Sequence, residues 1–181
     1  MDKKFKDWAS PLYKKYKESR KNAWLSVNGE MLYFYYELGH EIHESTFRNE
    51  PDFFRKLSVE LTTDKEGVLI FSEKNLRNIE LFYIFNGEII KELASDLSDD
   101  DFLNKAIALS ETIIETMCKI SWSHLLIIIE TCLYNPKKAW FYINKAVEND
   151  WSKKSLADAI SSELYEKAHN FRSQNNDERS A

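Results

Sequence analysis

Apolar residues recur along the first part of the chain in steps of three and four. Phe5, Trp8, Leu12, Tyr16, Ala23, Val27, Met31, Phe34, Leu38 and Ile42 form one stripe, with Ser19 filling its single gap. Ten steps cover the 37 residues from 5 to 42, or 3.7 residues per step. That is the period of a helix and not the period of two expected of a strand. Ser10-Pro11 supplies a cap and a first-turn proline. The pattern therefore predicts one long helix from about 11 to 45, roughly 50 Å at 1.5 Å per residue. Gly29 and Gly39 lie inside it and cost about 1 kcal/mol each against alanine, but the stripe runs through both. Such a helix is too long for one small core to cover, so part of it is expected to meet a second copy of the chain.

The rest of the chain repeats one local grammar. Asn49-Glu-Pro51 predicts the start of a helix carrying Phe53, Phe54, Leu57 and Leu61, and 62–67 reads as a loop. Phe71-Ser72-Glu-Lys-Asn-Leu76 opens the next helix, with Ser72 as cap and Phe71 stapled on Leu76. Trp151-Ser152-Lys-Lys-Ser-Leu156 repeats that signature, after a helix begun by Asn135-Pro136 and a turn at Asn149-Asp150. Two helix–turn–helix-like units follow, at about 51–86 and 136–168. A third staple-like start, Trp122-Ser123-His124, precedes the apolar run Leu125–Leu133. This helix is apolar nearly all round and is expected at the centre of the core. Phe102, Ala106, Leu109, Ile113 and Met117 mark one more amphipathic helix. The only strand candidate is Gly67-Val-Leu-Ile-Phe71. The reading is an all-α bundle over 1–169 with a disordered polar tail at 170–181.

Composition narrows the chemistry. With four glycines in 181 residues, none near another, the chain lacks the glycine-rich loops of dinucleotide and P-loop sites. Cys118 and Cys132, the only cysteines, exclude a disulfide framework and a four-cysteine zinc site and read as buried small hydrophobes. No apolar run approaches the ~20 residues that span a bilayer, and no signal-peptide core follows the first residues. The expectation is a soluble, cytoplasmic protein without a cofactor or a membrane partner. The net charge is −5, but it is unevenly placed. Residues 1–27 hold eight basic against three acidic residues, and 86–120 hold three against eight.

Several segments together carry a resemblance. They are Ala23-x3-Val27-Asn28 leading to Tyr35-Tyr36-Glu-Leu-Gly39-x2-Ile42; Leu57-Ser58-x2-Leu61; Phe71-Ser72-x2-Asn75-Leu76-x5-Phe82-Tyr83; Ile120-Ser-Trp122-Ser-His124; Phe141-Tyr142; and Trp151-Ser152-x3-Leu156-x3-Ile160. In order and spacing they resemble the N-terminal domain of the YhcG-type bacterial proteins, assigned to the PD-(D/E)XK nuclease superfamily. The likeness covers about 20–168. It implies a helical module that binds DNA or targets a separate C-terminal nuclease domain. Tyr36 stands where that family has Trp, and Leu125 where it has a second His. The chain also stops where the family continues into the nuclease, as a natural short member or an excised domain would. The only Asp/Glu-x-Lys is Asp2-Lys3-Lys4, with no strand to carry it, so metal-dependent cleavage is not expected and the chain is read as a non-enzyme.

Candidate binding residues come from the two units. In a DNA-binding helix–turn–helix, early residues of the second helix reach bases and phosphates. Those positions are Lys74, Arg77 and Asn78 in the first unit, and Lys153 and Lys154 in the second. Lys14, Lys15, Lys17, Arg20 and Lys21 would add phosphate contacts. Against this, 51–86 carries five basic and six acidic residues and 135–168 six and five, whereas DNA-binding domains are usually clearly basic. His40 and His43 share a helical face, but with only two other, remote histidines they read as exposed helix residues, not a metal site. His124 reads as a side chain tied to backbone near a helix start. The Tyr33–Tyr36 aromatics read mostly as core and interface. The function expected is a non-catalytic nucleic-acid-binding or targeting module, dimeric through its long helix. The alternative is a protein-interaction or oligomerisation scaffold.

Overall fold

Every element of the described chain is a helix. The computed structural model describes residues 27–62, 71–95 and 102–169. Helix α1 is described over 27–44. It is followed by α2 (Phe53–Thr62), α3 (Glu73–Ala94), α4 (Phe102–Met117), α5 (Trp122–Cys132), α6 (Pro136–Glu148) and α7 (Lys153–Ser161), and by a short α8 at 164–169. No strand occurs among the described residues, and the fold is all-α. The stripe from Phe5 to Ala23, the basic cluster Lys14–Lys21, the strand candidate at 67–70 and the tail 170–181 lie outside the described residues.

The caps explain where the helices begin. Ser72 takes extended backbone and accepts the Asn75 N–H, and Ser152 does the same for Ser155. Asn135 accepts from Lys138 ahead of Pro136 at the first helical position. Each satisfies one of the amide donors that a helix start leaves open. Two starts differ from the sequence expectation. Pro51 lies in a turn, and α2 begins at Phe53 after Asp52, whose φ is 60°. Helix α5 begins at Trp122 behind Ser121, so Trp122 is a first-turn residue and not a staple.

Helix α3 is the axle of the bundle, packing on α2, α4, α5 and α6. Phe82, Phe85 and Ile89 of α3 join Ile113 and Met117 of α4, Leu125, Ile128 and Ile129 of α5, Tyr142 and Ile143 of α6 and Leu156 of α7 in the main core. A second, smaller cluster joins Ile42, Phe54, Leu76 and Ile79. Helix α5 gives this core Leu125, Ile128, Ile129 and Cys132 but exposes Glu130 and Thr131, and the longer α3 packs on more of the other helices.

Helix α1 runs unbroken through Gly29 and Gly39, yet over its first turns it buries a face the apolar stripe does not mark, and stripe and core coincide only at Leu38 and Ile42. The buried positions are Asn28, Leu32, Gly39 and Ile42, with Tyr35 half-buried. Asn28 donates its side-chain N–H groups to the carbonyls of Cys118 (2.7 Å) and Ile120 (2.9 Å), where α4 turns into α5. At Gly39 a Cβ would stand 2.6 Å from the Ile79 carbonyl oxygen and 2.8 Å from Tyr83 Cβ. Only glycine lets α1 and α3 cross this closely.

Candidate nucleic-acid interface

The first turn of α5 links the starts of two other helices. Trp122 donates its indole N–H to Asn75 Oδ1 at 3.2 Å, in the first turn of α3. His124 Nε2 lies 2.9 Å from the carbonyl oxygen of Trp151, the residue before the α7 cap. A carbonyl only accepts, so Nε2 carries the proton and donates. Nδ1, 2.7 Å from Ser121 Oγ, then accepts from that hydroxyl in the neutral ring. Ser121 Oγ in turn lies 2.8 Å from Ser123 Oγ. A polar chain thus runs from Ser123 through Ser121 and His124 to the backbone ahead of α7. With its hydroxyl engaged this way, Ser121 makes no side-chain cap to the α5 amides.

Trp122 also anchors the hub in the core, with its ring centroid 4.9 Å from Tyr35 and 5.4 Å from Phe82. Three helix N-termini, of α3, α5 and α7, are therefore gathered about one indole and one imidazole. The positive ends of three helix dipoles meet there, and Lys74, Lys153 and Lys154 are exposed on the first turns of α3 and α7. Glu73, at the first position of α3, offsets part of that potential.

Residues 12–167 match the DUF1016 N-terminal domain. The chain belongs to this family. It is the YhcG-type N-terminal domain that the sequence resembles, and no nuclease domain is matched. No curated protein matches the chain, and no solved structure does.

On this DUF1016 domain the proposed contact residues have unequal surroundings. Lys74, Lys153 and Lys154 are exposed. Arg77 is exposed too, but its guanidinium carbon lies 4.1 Å from the centroid of the Phe54 ring, a cation–π contact. Asn78 is half-buried and lines a groove of about 230 Å³ with Leu81, Leu126, Ile129 and Tyr134. The hub thus joins the helix starts that carry Lys74 and Lys153–Lys154, while Arg77 turns to the α2 side and Asn78 to the α5 side.

Sequence reasoning missed a charged cluster beside Arg77. Glu80, almost wholly buried, takes a two-pronged hydrogen bond from Arg48, at 2.6 and 2.9 Å. The Arg48 guanidinium carbon also lies 4.7 Å from the centroid of Phe54, so the same ring meets both arginines. His43 Nδ1 stands 3.6 Å from Glu80, and both His40 and His43 lie against Tyr83. The two histidines are exposed, and no cluster of three or more His, Cys, Asp or Glu that could hold a metal occurs among the described residues. Cys118 is half-buried and Cys132 buried, and burial raises both thiol pKa values. Tyr36, in place of the family's Trp, packs on Tyr83 at 5.3 Å, and Leu125 is fully buried. Among the described residues no single helix is long and apolar enough to cross a membrane.

Proposed function

We propose that this DUF1016 domain is a non-catalytic nucleic-acid-binding module that meets backbone phosphates with the clustered starts of α3, α5 and α7. The observation that supports it most is the pair of hydrogen bonds from Trp122 and His124, which hold the first turn of α3 and the backbone ahead of α7 to one point. Helix N-termini attract anions through open amides and the dipole. Lys74, Lys153 and Lys154 add full charges at the same starts. Phosphate contacts of this kind position a duplex without reading its sequence. A targeting role for an associated nuclease follows from the resemblance to the YhcG-type proteins.

The test is fluorescence anisotropy of the full chain with a labelled duplex across a salt series. Binding should be measurable at low salt and fall steeply as salt rises, as counterion release requires. Lys153→Glu/Lys154→Glu and Lys74→Glu should each weaken it about tenfold or more, and should flatten the salt slope by about one for each phosphate-binding lysine removed. Trp122→Phe keeps an aromatic ring in the core but removes the indole N–H that donates to Asn75, and should weaken binding with both lysine sets intact. A parent with no low-salt binding, or lysine variants that bind as well as the parent, would leave the interaction-scaffold reading in its place. That second reading has its own support in the exposed apolar side of α1.

A further inference from the structure

The described residues include three arginines, Arg48, Arg55 and Arg77, and carboxylates engage two of them. Arg48 grips Glu80 with both prongs, and Arg55 donates to Asp52 at 2.7 Å. Arg77 has a carboxylate at both of the helical neighbour spacings, Glu73 four residues before it and Glu80 three after. It pairs with neither, and no ion pair among the described residues includes it. Glu80 is buried and already holds Arg48, with His43 Nδ1 at 3.6 Å. Arg77 instead lays its guanidinium over the Phe54 ring, 4.1 Å from carbon to centroid, and stays exposed.

A ring restrains a guanidinium without neutralising it. The contact takes up one face of the planar group, while its N–H donors lie in the plane and point away from the ring. Phe54 is itself well held. It is buried with Ile42, Leu76 and Ile79, and the Arg48 guanidinium, fixed on Glu80, lies 4.7 Å from the same centroid. An arginine posed on such a support gives up less rotamer freedom when it meets an anion. Lys74, exposed and without an ion pair of its own, lies one turn ahead on α3. Glu73, beside it, is the one carboxylate of this first turn.

We propose that Arg77, posed on Phe54, grips a backbone phosphate of the bound nucleic acid through a two-pronged hydrogen bond, with Phe54 as its positioning residue. This rests on the nucleic-acid reading above and carries the contact surface from the clustered helix starts to the α2 side. The fork geometry suits a phosphate, whereas a lysine in the same place offers only a point charge. The Arg48–Glu80 pair then serves to hold the ring in place, and the two carboxylates at helical spacing leave the Arg77 charge to the ligand.

The experiment is anisotropy of the full chain with the labelled duplex, at low salt and across the salt series. Arg77→Lys keeps the charge and loses the fork. It should weaken binding about fivefold or more and leave the salt slope unchanged, because the number of neutralised phosphates is the same. Arg77→Gln should also lower the slope by about one. Phe54→Leu should weaken the parent to a similar degree but change the Arg77→Lys variant by less than about twofold, since the ring acts through the arginine. Circular dichroism checks the fold of each. Should Phe54→Leu lose it, Arg77→Lys at its exposed position decides the matter alone. Arg77→Lys binding as tightly as the parent overturns the proposal. Equal losses from Phe54→Leu in both backgrounds would make the ring a support of the fold only, and overturn its positioning role. A parent that fails to bind at low salt overturns the nucleic-acid reading and this inference with it. A parent that binds, loses affinity on Lys153→Glu/Lys154→Glu and ignores Arg77→Lys overturns this inference alone.

Discussion

The α2–α3 and α6–α7 pairs begin their second helices in the same way and end very differently. In both, an aromatic residue, Phe71 or Trp151, precedes a serine cap that accepts the N–H three residues on. Both second helices are tied to the start of α5. Yet α3 runs 22 residues and buries eight of them, including Glu80 and Asn86, while α7 runs nine and buries Leu156 alone. The α3 side is braced by charge, with Arg48 on Glu80 and Phe54 between Arg48 and Arg77. The α7 side is braced by one phenol. Tyr142, fully buried, gives its hydroxyl hydrogen to the Ala159 carbonyl and accepts from the Tyr165 N–H. A start signal is local and repeatable; depth in the core is set by which neighbours the helix meets afterwards.

This difference predicts unequal responses to equal cuts. Leu76 and Leu156 are both fully buried. Leu76→Ala should lower the unfolding free energy by about 3 kcal/mol, within the usual range for buried leucine, because α3 meets most of the bundle. Leu156→Ala should cost about 2 kcal/mol or less, since a nine-residue helix can release by itself and relieve the cavity. Urea titration gives the totals, and amide exchange shows whether α7 opens alone. Equal losses with uniform exchange would mean that the two regions are one cooperative unit.

The caps should respond more nearly alike. Ser72→Ala and Ser152→Ala each remove one acceptor for a first-turn amide, worth about 1 kcal/mol. Aspartate at either site should keep most of that, because it still accepts and its charge suits the dipole. If Ser72→Ala costs several times more than Ser152→Ala, the caps are not the interchangeable local devices their sequences suggest. Thermal melts of the four single variants decide it.

The same contrast marks what the sequence disclosed. The starts of α3, α6 and α7 were legible because a cap and its receiving amide lie three residues apart. Helical period and class were legible for the same local reason. The core face of α1 was not, because its inward positions include buried Asn28 and Gly39 and half-buried Tyr35, whose value lies in two distant carbonyls, a close crossing and an indole. Apolarity alone selected Val27, Met31 and Phe34, which the structure leaves exposed. The hub was half legible. Trp122 and His124 stood out as residues, but their partners lie 47 and 27 positions away, and no spacing rule reaches that far. Arg77 is exposed, as its helix position suggested, but nothing near it in sequence announces its contact with Phe54.

The smallest expected effect concerns the charge that the α6 side does possess. Lys138 Nζ lies 2.6 Å from Glu166 Oε1, joining α6 to α8. The hydrogen bond from Lys138 is the main reason the Glu166 carboxyl sits below the usual carboxylate range, and the same bond is the main reason the ammonium sits above its own. For a depressed carboxylate, the folded state binds its proton less readily than the unfolded state does. Its contribution is therefore complete above the ordinary carboxylate value of about 4.3 and is lost as pH falls through the lower, folded value. The raised lysine works in the opposite sense, with its contribution complete below about 10.4 and lost as pH climbs through the folded value. Between those limits the pair is fully expressed. Its side chains are 21% and 39% exposed, so solvent screening should hold the total under about 1 kcal/mol. Lys138→Met keeps the stem and removes the charge. Urea titrations of parent and variant from pH 6 down to pH 3 should converge as the pH falls, and converge sooner in high salt. Curves that stay a constant distance apart would mean that Lys138 acts through its stem alone, leaving the Tyr142 hydroxyl and the packing of Phe141 on Tyr165 to hold α8 to α6.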